Sequence, residues 1–87
     1  MTAVASTVTI RVLLFASYAE LLGSDVLEMV LENPAHVSDA LERLRAVPGG
    51  DRLPPKPLCA LNLSQVEPDT VLCVGDELAI LPPLSGG

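Results

Sequence analysis

Val8-Thr9-Ile10-Arg11-Val12-Leu13-Leu14-Phe15 is the stretch from which the architecture is read. Val8, Ile10, Val12 and Leu14 recur at every second position, the period of a strand and not of a helix. The other face carries Thr9, Arg11, Leu13 and Phe15, so the strand is at least partly covered on both sides. Residues 1–7 before it are small, polar and terminal, and are expected to form a flexible leader. After it, Ala16 to Leu22 reads as a short helix ended by Gly23, a natural left-handed stop. Asp25 to Glu32 alternates again, with Leu27, Met29 and Leu31 set against Val26, Glu28, Val30 and Glu32, until Asn33-Pro34 stops it.

Further out, Ser38 is expected to cap a helix, with Asp39 well placed for its dipole. Ala40, Leu41, Leu44 and Val47 keep helical spacing, while Glu42, Arg43 and Arg45 face outward. Pro48-Gly49-Gly50 ends the helix, and the proline-rich stretch to Pro57 reads as a loop. Leu58 to Asn62 and Gln65 to Glu67 are expected strands around a turn at Leu63-Ser64. Val71 to Val74 leads into a Gly75-Asp76 turn, and Glu77 to Leu81 forms a last apolar strand. The order predicts an α+β roll, one main helix packed on one face of a mixed sheet. The expected domain runs from 8 to 81, with 82–87 as an extended C-terminal tail and no internal repeat.

Eighty-seven residues make one domain. A chain this short buries only roughly 60% of its unfolded surface, so the core is modest. Phe15 and Tyr18 are its only aromatics, which leaves Val, Leu, Ile and Ala to build that core and argues against a deep enzyme pocket. Five Lys and Arg face eleven Asp and Glu, for a formal charge of −6. That field repels phosphate backbones, so nucleic acid is not an expected partner, whereas a basic protein surface is. No apolar run reaches the roughly 20 residues that span a bilayer, and no membrane partner is expected. Met1 to Thr7 lacks the positive region of a signal peptide, which points to the cytoplasm. Cys59 and Cys73 lie in apolar surroundings and are expected to be reduced and buried.

The ending, Leu81-Pro82-Pro83-Leu84-Ser85-Gly86-Gly87, is where chemistry is expected. Two prolines lack N–H donors and fix φ, so the chain leaves the sheet extended. From Pro82 onward, six residues can reach roughly 20 Å. Gly86 and Gly87 carry no Cβ and can thread a slot too narrow for any side chain. A partner would thus receive a free carboxylate on a thin arm. Adenylation of that carboxylate by ATP creates a mixed anhydride, and a sulfur nucleophile displacing AMP leaves a thiocarboxylate. No catalytic side chain of this protein is needed. The competing reading is a frayed terminus, against which the rigid Pro82-Pro83 launch from an apolar strand weighs.

Val12-Leu13-Leu14-Phe15-Ala16, Glu20-Leu21-Leu22-Gly23, Leu61-Asn62 and, above all, the run from Gly75 to Gly87 form a set of blocks. Through them the chain resembles the small subunits of molybdopterin synthase, a ubiquitin-like sulfur-carrier family. The resemblance implies a β-grasp fold and a sulfur-donor subunit of a heteromeric sulfurtransferase, not a self-sufficient enzyme. It implies that Gly87 is the reacting residue, adenylated by an activating enzyme that uses ATP. A sulfur donor protein then supplies sulfur, and no intrinsic cofactor is needed. The tail would enter the large subunit of molybdopterin synthase, where the thiocarboxylate sulfurates a pterin precursor of the molybdenum cofactor. Phe15, Leu81, Pro82, Pro83, Leu84, Ser85 and Gly86 are the partner-binding residues so implied. Two positions depart from the family pattern: Ala19, where an Arg is common, and Gln65, where relatives tend to be apolar.

The remaining candidates read as structural. His36 has no acid or cysteine cluster around it and is expected to be solvated. Cys59 and Cys73 lack the paired spacing of a zinc site, and no metal site is expected. Glu28 and Glu32 share an outward strand face. Three alternative readings stay open: a carrier supplying sulfur to thiamin or transfer RNA, a ubiquitin-like protein modifier, and a plain binding module.

Overall fold

The structure is a computed structural model and describes residues 6–82. Strand β1, Thr7–Leu14, lies inside a five-stranded sheet. It pairs antiparallel with β2, Val26–Glu32, from Thr7↔Glu32 to Leu13↔Val26. On its other side it pairs parallel with β7, Glu77–Leu81, from Arg11↔Glu77 to Leu14↔Ile80. β4, Leu58–Leu61, runs antiparallel to β7, and β5, Ser64–Val66, closes that edge. The order is therefore β2-β1-β7-β4-β5, a mixed sheet as the sequence pattern predicts. β3, Ala35–His36, and β6, Val71–Leu72, form a separate two-stranded ribbon. Among the described residues no helix is long and apolar enough to cross a membrane.

Helix α2, Val37–Arg45, supplies the layer beneath the sheet through Val37, Ala40, Leu41 and Leu44. Their partners are the inward residues of the strands: Ile10 and Val12, Met29 and Leu31, Leu78 and Ile80. Ile10, Val12, Leu44, Leu72, Leu78 and Ile80 lie at 0–1% exposure, and among the described residues no charged or amide side chain is buried with them. Each such aliphatic side chain contributes about 1.5–3 kcal/mol by leaving water. Helix α1, Ala16–Leu22, occupies the connection between β1 and β2 and places Tyr18 against the core. Gly23 ends it at φ 72°, as its type predicts.

Several boundaries differ from the sequence expectations, each for a local reason. Thr7 joins β1 by pairing with Glu32 instead of belonging to the leader, whose residues 1–5 lie outside the described residues. Phe15 leaves the strand and caps α1 in an extended conformation. Helix α2 is capped at His36 and not at Ser38. The His36 N–H donates to Asp39 Oδ2 at 2.8 Å, while Val37 and Ser38 donate to the carbonyls of Thr70 and Pro68. Those orphan donors thus find backbone acceptors from a distant loop, which no local motif encodes. The β4–β5 turn is Asn62-Leu63, closed by the Leu61↔Ser64 pair, with both residues at positive φ. Within the loop from Pro48 to Pro57, Gly50–Arg52 forms one 3-10 turn. A Cβ at Gly50 would strike the backbone of Leu44 and one at Gly49 that of Leu21, so only glycine brings this loop against both helices.

Candidate functional site

Chain exit and sheet face meet at one end of the molecule. β7 is held on both sides, by β1 and β4, and from below by the fully buried Leu78 and Ile80. Ala79 and Leu81 alternate onto the opposite face and are half-buried. The last pair of the β7–β4 ladder is Leu58↔Leu81. Beyond it stand Pro57 on one strand and Pro82 on the other, and neither can donate an N–H. Two prolines side by side therefore stop the sheet at that line. Pro82 is half-buried, and the expected site residues Pro83, Leu84, Ser85, Gly86 and Gly87 lie outside the described residues.

The outer face around this exit is apolar. Leu13 sits between Val26 and Ala79, and Ala60 lies between Ala79 and Gln65. Leu81 and Leu58 form the next row, and Phe15 follows the Leu14↔Ile80 pair at its end. Phe15 is 44% exposed and Val26 46%. Neither is needed to close the core beneath. Two rows away from the exit the face turns charged, with Glu28, Arg11 and Glu77 across three strands. The Arg11–Glu77 pair is 3.5 Å apart and solvent-exposed, which gives it little weight in stability. Half-buried aliphatics with a charged border are the anatomy of a protein-docking patch.

Of the expected partner-binding residues, the structure brings Phe15, Leu81 and Pro82 to one edge of this patch. Leu13, Val26, Leu58, Ala60 and Ala79 belong to the same face but were not singled out from the sequence. Their signal is the second, outward phase of alternation in β1, β4 and β7, apolar where a solvated face would be polar. Gln65 lies on this face beside Ala60 and is exposed.

The cysteines divide. Cys59 faces inward at 3% exposure, and its thiol donates toward the Pro57 carbonyl at 3.5 Å. Burial pushes that thiol up to about 11, so at neutral pH it is protonated and a poor nucleophile. Tyr18 nearby is also raised, by burial first and by the Cys59 charge second. Cys73 is exposed, contrary to the expectation of burial, because β6 ends at Leu72 and only Leu72 points inward. The Cys73 N–H instead donates to Asp76 Oδ2 at 2.7 Å, tying the turn before β7. His36 stands at the start of α2, its Nδ1 3.4 Å from Asp39 Oδ2, away from the chain exit.

Comparison with known proteins adds to this geometry. Residues 12–87 match the ThiS family. The chain is 40% identical over 81 residues to the molybdopterin synthase sulfur carrier subunit of Chlamydomonas reinhardtii, covering 90% of this chain and 98% of that one. It is 33% identical over 84 residues to the protein of the same name from Escherichia coli, covering 90% and 99%. Among solved structures it superposes on SAMP1, small archaeal modifier protein 1, of Haloferax volcanii. That match has a TM-score of 0.78 at 30% identity and covers 91% of this chain and 99% of that one. The α+β roll is thus the ubiquitin-like β-grasp expected from the sequence.

Proposed function

The chain belongs to the ThiS family, and we propose that it is the sulfur-carrier small subunit of a molybdopterin synthase, working in the cytoplasm. The observation that carries this reading is the position of the chain exit. β7 delivers Pro82 to the rim of the apolar outer face, so a partner seated on that face receives the tail as it docks. The two relatives named as molybdopterin synthase sulfur carriers support the same partner, the large subunit of that enzyme.

The chemistry proceeds at Gly87. An oxygen of its carboxylate attacks the α-phosphorus of ATP in the activating enzyme, and pyrophosphate leaves. A sulfur donor protein then supplies sulfide-level sulfur. The C–S bond forms at the acyl carbon as the bond to the AMP oxygen breaks, leaving a thiocarboxylate. Ionised near neutral pH, its sulfur attacks a carbon of the pterin precursor within the large subunit and displaces an oxygen substituent from it; water then cleaves the acyl C–S bond of the resulting thioester, which leaves the sulfur on the precursor and returns the carboxylate. This chain's share is positioning. Phe15, Leu81 and Pro82 meet the partner, and Pro83, Leu84, Ser85 and Gly86 thread Gly87 into the reaction site. Cys59 takes no part, since its thiol stays protonated.

Intact mass after incubation with ATP, an activating enzyme and a sulfur donor tests this reading. The expected result is an ATP-dependent gain equal to one sulfur replacing one oxygen, mapped to the last peptide and absent when Gly87 is deleted. No gain with a competent activating enzyme overturns it. The 30% identity to small archaeal modifier protein 1 favours a second reading, a protein modifier joined through Gly87 to lysines. It predicts higher-mass conjugates in extract that vanish with the same deletion.

A further inference from the structure

Strand β2 is one edge of the sheet, and seven consecutive pairs hold it to β1 without a bulge or a proline. The opposite edge, β5, is only three residues long. The bonding phase of β2 follows from the two ends of its ladder. The Leu14 N–H donates to the Asp25 carbonyl at 2.9 Å, and the Asn33 N–H to the Ser6 carbonyl at 3.1 Å. In an antiparallel ladder, residues that exchange bonds with the neighbouring strand alternate with residues that point away from it. Leu27, Met29 and Leu31 therefore bond to β1, while Val26, Glu28, Val30 and Glu32 aim their N–H and C=O groups at the open edge. Ser24 covers the first of these. Its hydroxyl donates to the Val26 carbonyl at 2.8 Å and accepts from the Val26 N–H at 3.4 Å. Glu28, Val30 and Glu32 have no such cover among the described residues.

We propose that residues 28–32 take up an extended segment of a partner protein as a sixth strand of this sheet, a segment with a basic residue on either side of an apolar one. Backbone bonding to the open edge supplies the affinity, and the side chains of β2 select the partner. On the outer face Val30 is 49% exposed and stands between the exposed carboxylates of Glu28 and Glu32. Residues opposite these three positions share one face of the incoming strand, so the matching pattern is basic, any, apolar, any, basic. Neither glutamate has an ion-pair partner among the described residues, and Arg11, opposite Glu28, is paired with Glu77 instead. Behind the edge a groove of about 480 Å³ separates Leu31 from α2, and in its lining Glu32, Asp39 and Glu42 outnumber Arg43. The formal charge of −6 attracts a basic segment from a distance. A second copy of β2 is the wrong occupant, because it would bring its own Glu28 and Glu32 to a seam that already holds two carboxylates. Residues 28–32 run away from the chain exit, two strands from β7, so a segment bound here leaves that exit uncovered.

This strand site makes no use of Gly87 and stands apart from the sulfur-carrier reading. A capped peptide, Thr-Arg-Thr-Val-Thr-Arg-Thr, carries the pattern and reads the same in both directions, so it fits a parallel or an antiparallel strand. Amide spectra of the labelled full chain are followed as peptide is added to about 5 mM, above the roughly millimolar Kd expected of one short strand. The amide protons of Glu28, Val30 and Glu32 are expected to move downfield as they gain acceptors. Those of Met29 and Leu31, already bonded to β1, should move far less. A peptide of the same composition in another order, Arg-Arg-Thr-Val-Thr-Thr-Thr, should bind several-fold more weakly and needs no variant of the protein. Glu28→Lys combined with Glu32→Lys should weaken binding about tenfold, with unmoved Ile10 and Leu78 signals as the check on folding. No shift at the end of the titration overturns the proposal, as do equal shifts at every residue of β2. Equal affinity for the reordered peptide also overturns it, by reducing the contact to charge attraction. Edge shifts that appear without peptide and grow with protein concentration do so as well, by making a second copy the occupant.

Discussion

The two faces of the sheet are built from the same strands, yet they differ in how completely they are closed. On the inner face Ile10, Val12, Leu78 and Ile80 are at 0–1% exposure against α2. On the outer face Leu13, Leu58, Ala60, Ala79 and Leu81 are only half-buried, and Phe15 and Val26 are exposed. Alternation along β7 places Ile80 in one environment and Leu81 in the other. The inner set holds the fold, and the outer set is apolar beyond what folding requires. An apolar surface that the fold leaves open is available to a partner, and here it lies where the chain leaves the sheet.

The largest expected effect breaks the inner face. Ile80→Ala should cost about 2–5 kcal/mol in urea unfolding, because a fully enclosed side chain leaves a cavity that its neighbours fill only in part. Phe15→Ala makes the opposite case. Its stability loss should stay under about 1 kcal/mol, while affinity for a large synthase subunit falls by about 1–3 kcal/mol. Equal losses at both residues in both assays would erase the distinction between the faces.

A smaller effect sharpens the inner side with pH. The Cys59 thiol is raised from 9.0 to about 11, so folding favours its protonated form. The contribution is therefore complete below about pH 9 and is lost as pH climbs through 11, a decline on the order of 2–3 kcal/mol. Tyr18 is shifted in the same direction from 10.0, by burial first and by the Cys59 charge second, so its share is complete below about pH 10 and is lost above it. Cys59→Ala should lower stability at neutral pH but flatten the slope between about pH 9 and 11. An unchanged slope would mean that this thiol is not sequestered from solvent.

The inner face was the more legible of the two. Val8, Ile10, Val12 and Leu14 announce themselves by strict alternation, and all four are buried. Helix α1 and strand β7 were read with their observed ends, since Gly23 and Pro82 interrupt the backbone pattern in known ways. The start of α2 was not, because its donors are satisfied by Pro68 and Thr70 from far along the chain. The ribbon partner Ala35–His36 is two residues long, below any periodicity. Cys73 looked buried from its apolar neighbours, but composition does not tell which of Leu72 and Cys73 faces in. As for the site, Phe15, Leu81 and Pro82 were reached through family resemblance. The patch joining them depends on the register of β1, β7 and β4, which appears only when the strands are paired.

The smallest effect belongs to a residue on neither face. Leu63 sits at the tip of the β4–β5 turn with φ 77° and is 97% exposed. A branched side chain in the left-handed region pays a steric cost of about 1–2 kcal/mol, and full exposure returns nothing by burial. Glycine removes the clash but adds backbone entropy to the unfolded chain, which offsets part of the gain. Leu63→Gly should therefore stabilise the domain by about 0.5–1 kcal/mol, seen as a higher urea midpoint at unchanged slope. Asn62→Gly at the neighbouring position should not. The Asn62 side chain bonds Asp76 at 3.0 Å and accepts from the Glu77 N–H at 3.0 Å, joining this hairpin to the start of β7. A gain at Leu63 with a loss at Asn62 would show that β7 is secured at its first residue by the turn and along its length by the inner face. Its other end is then left to partners.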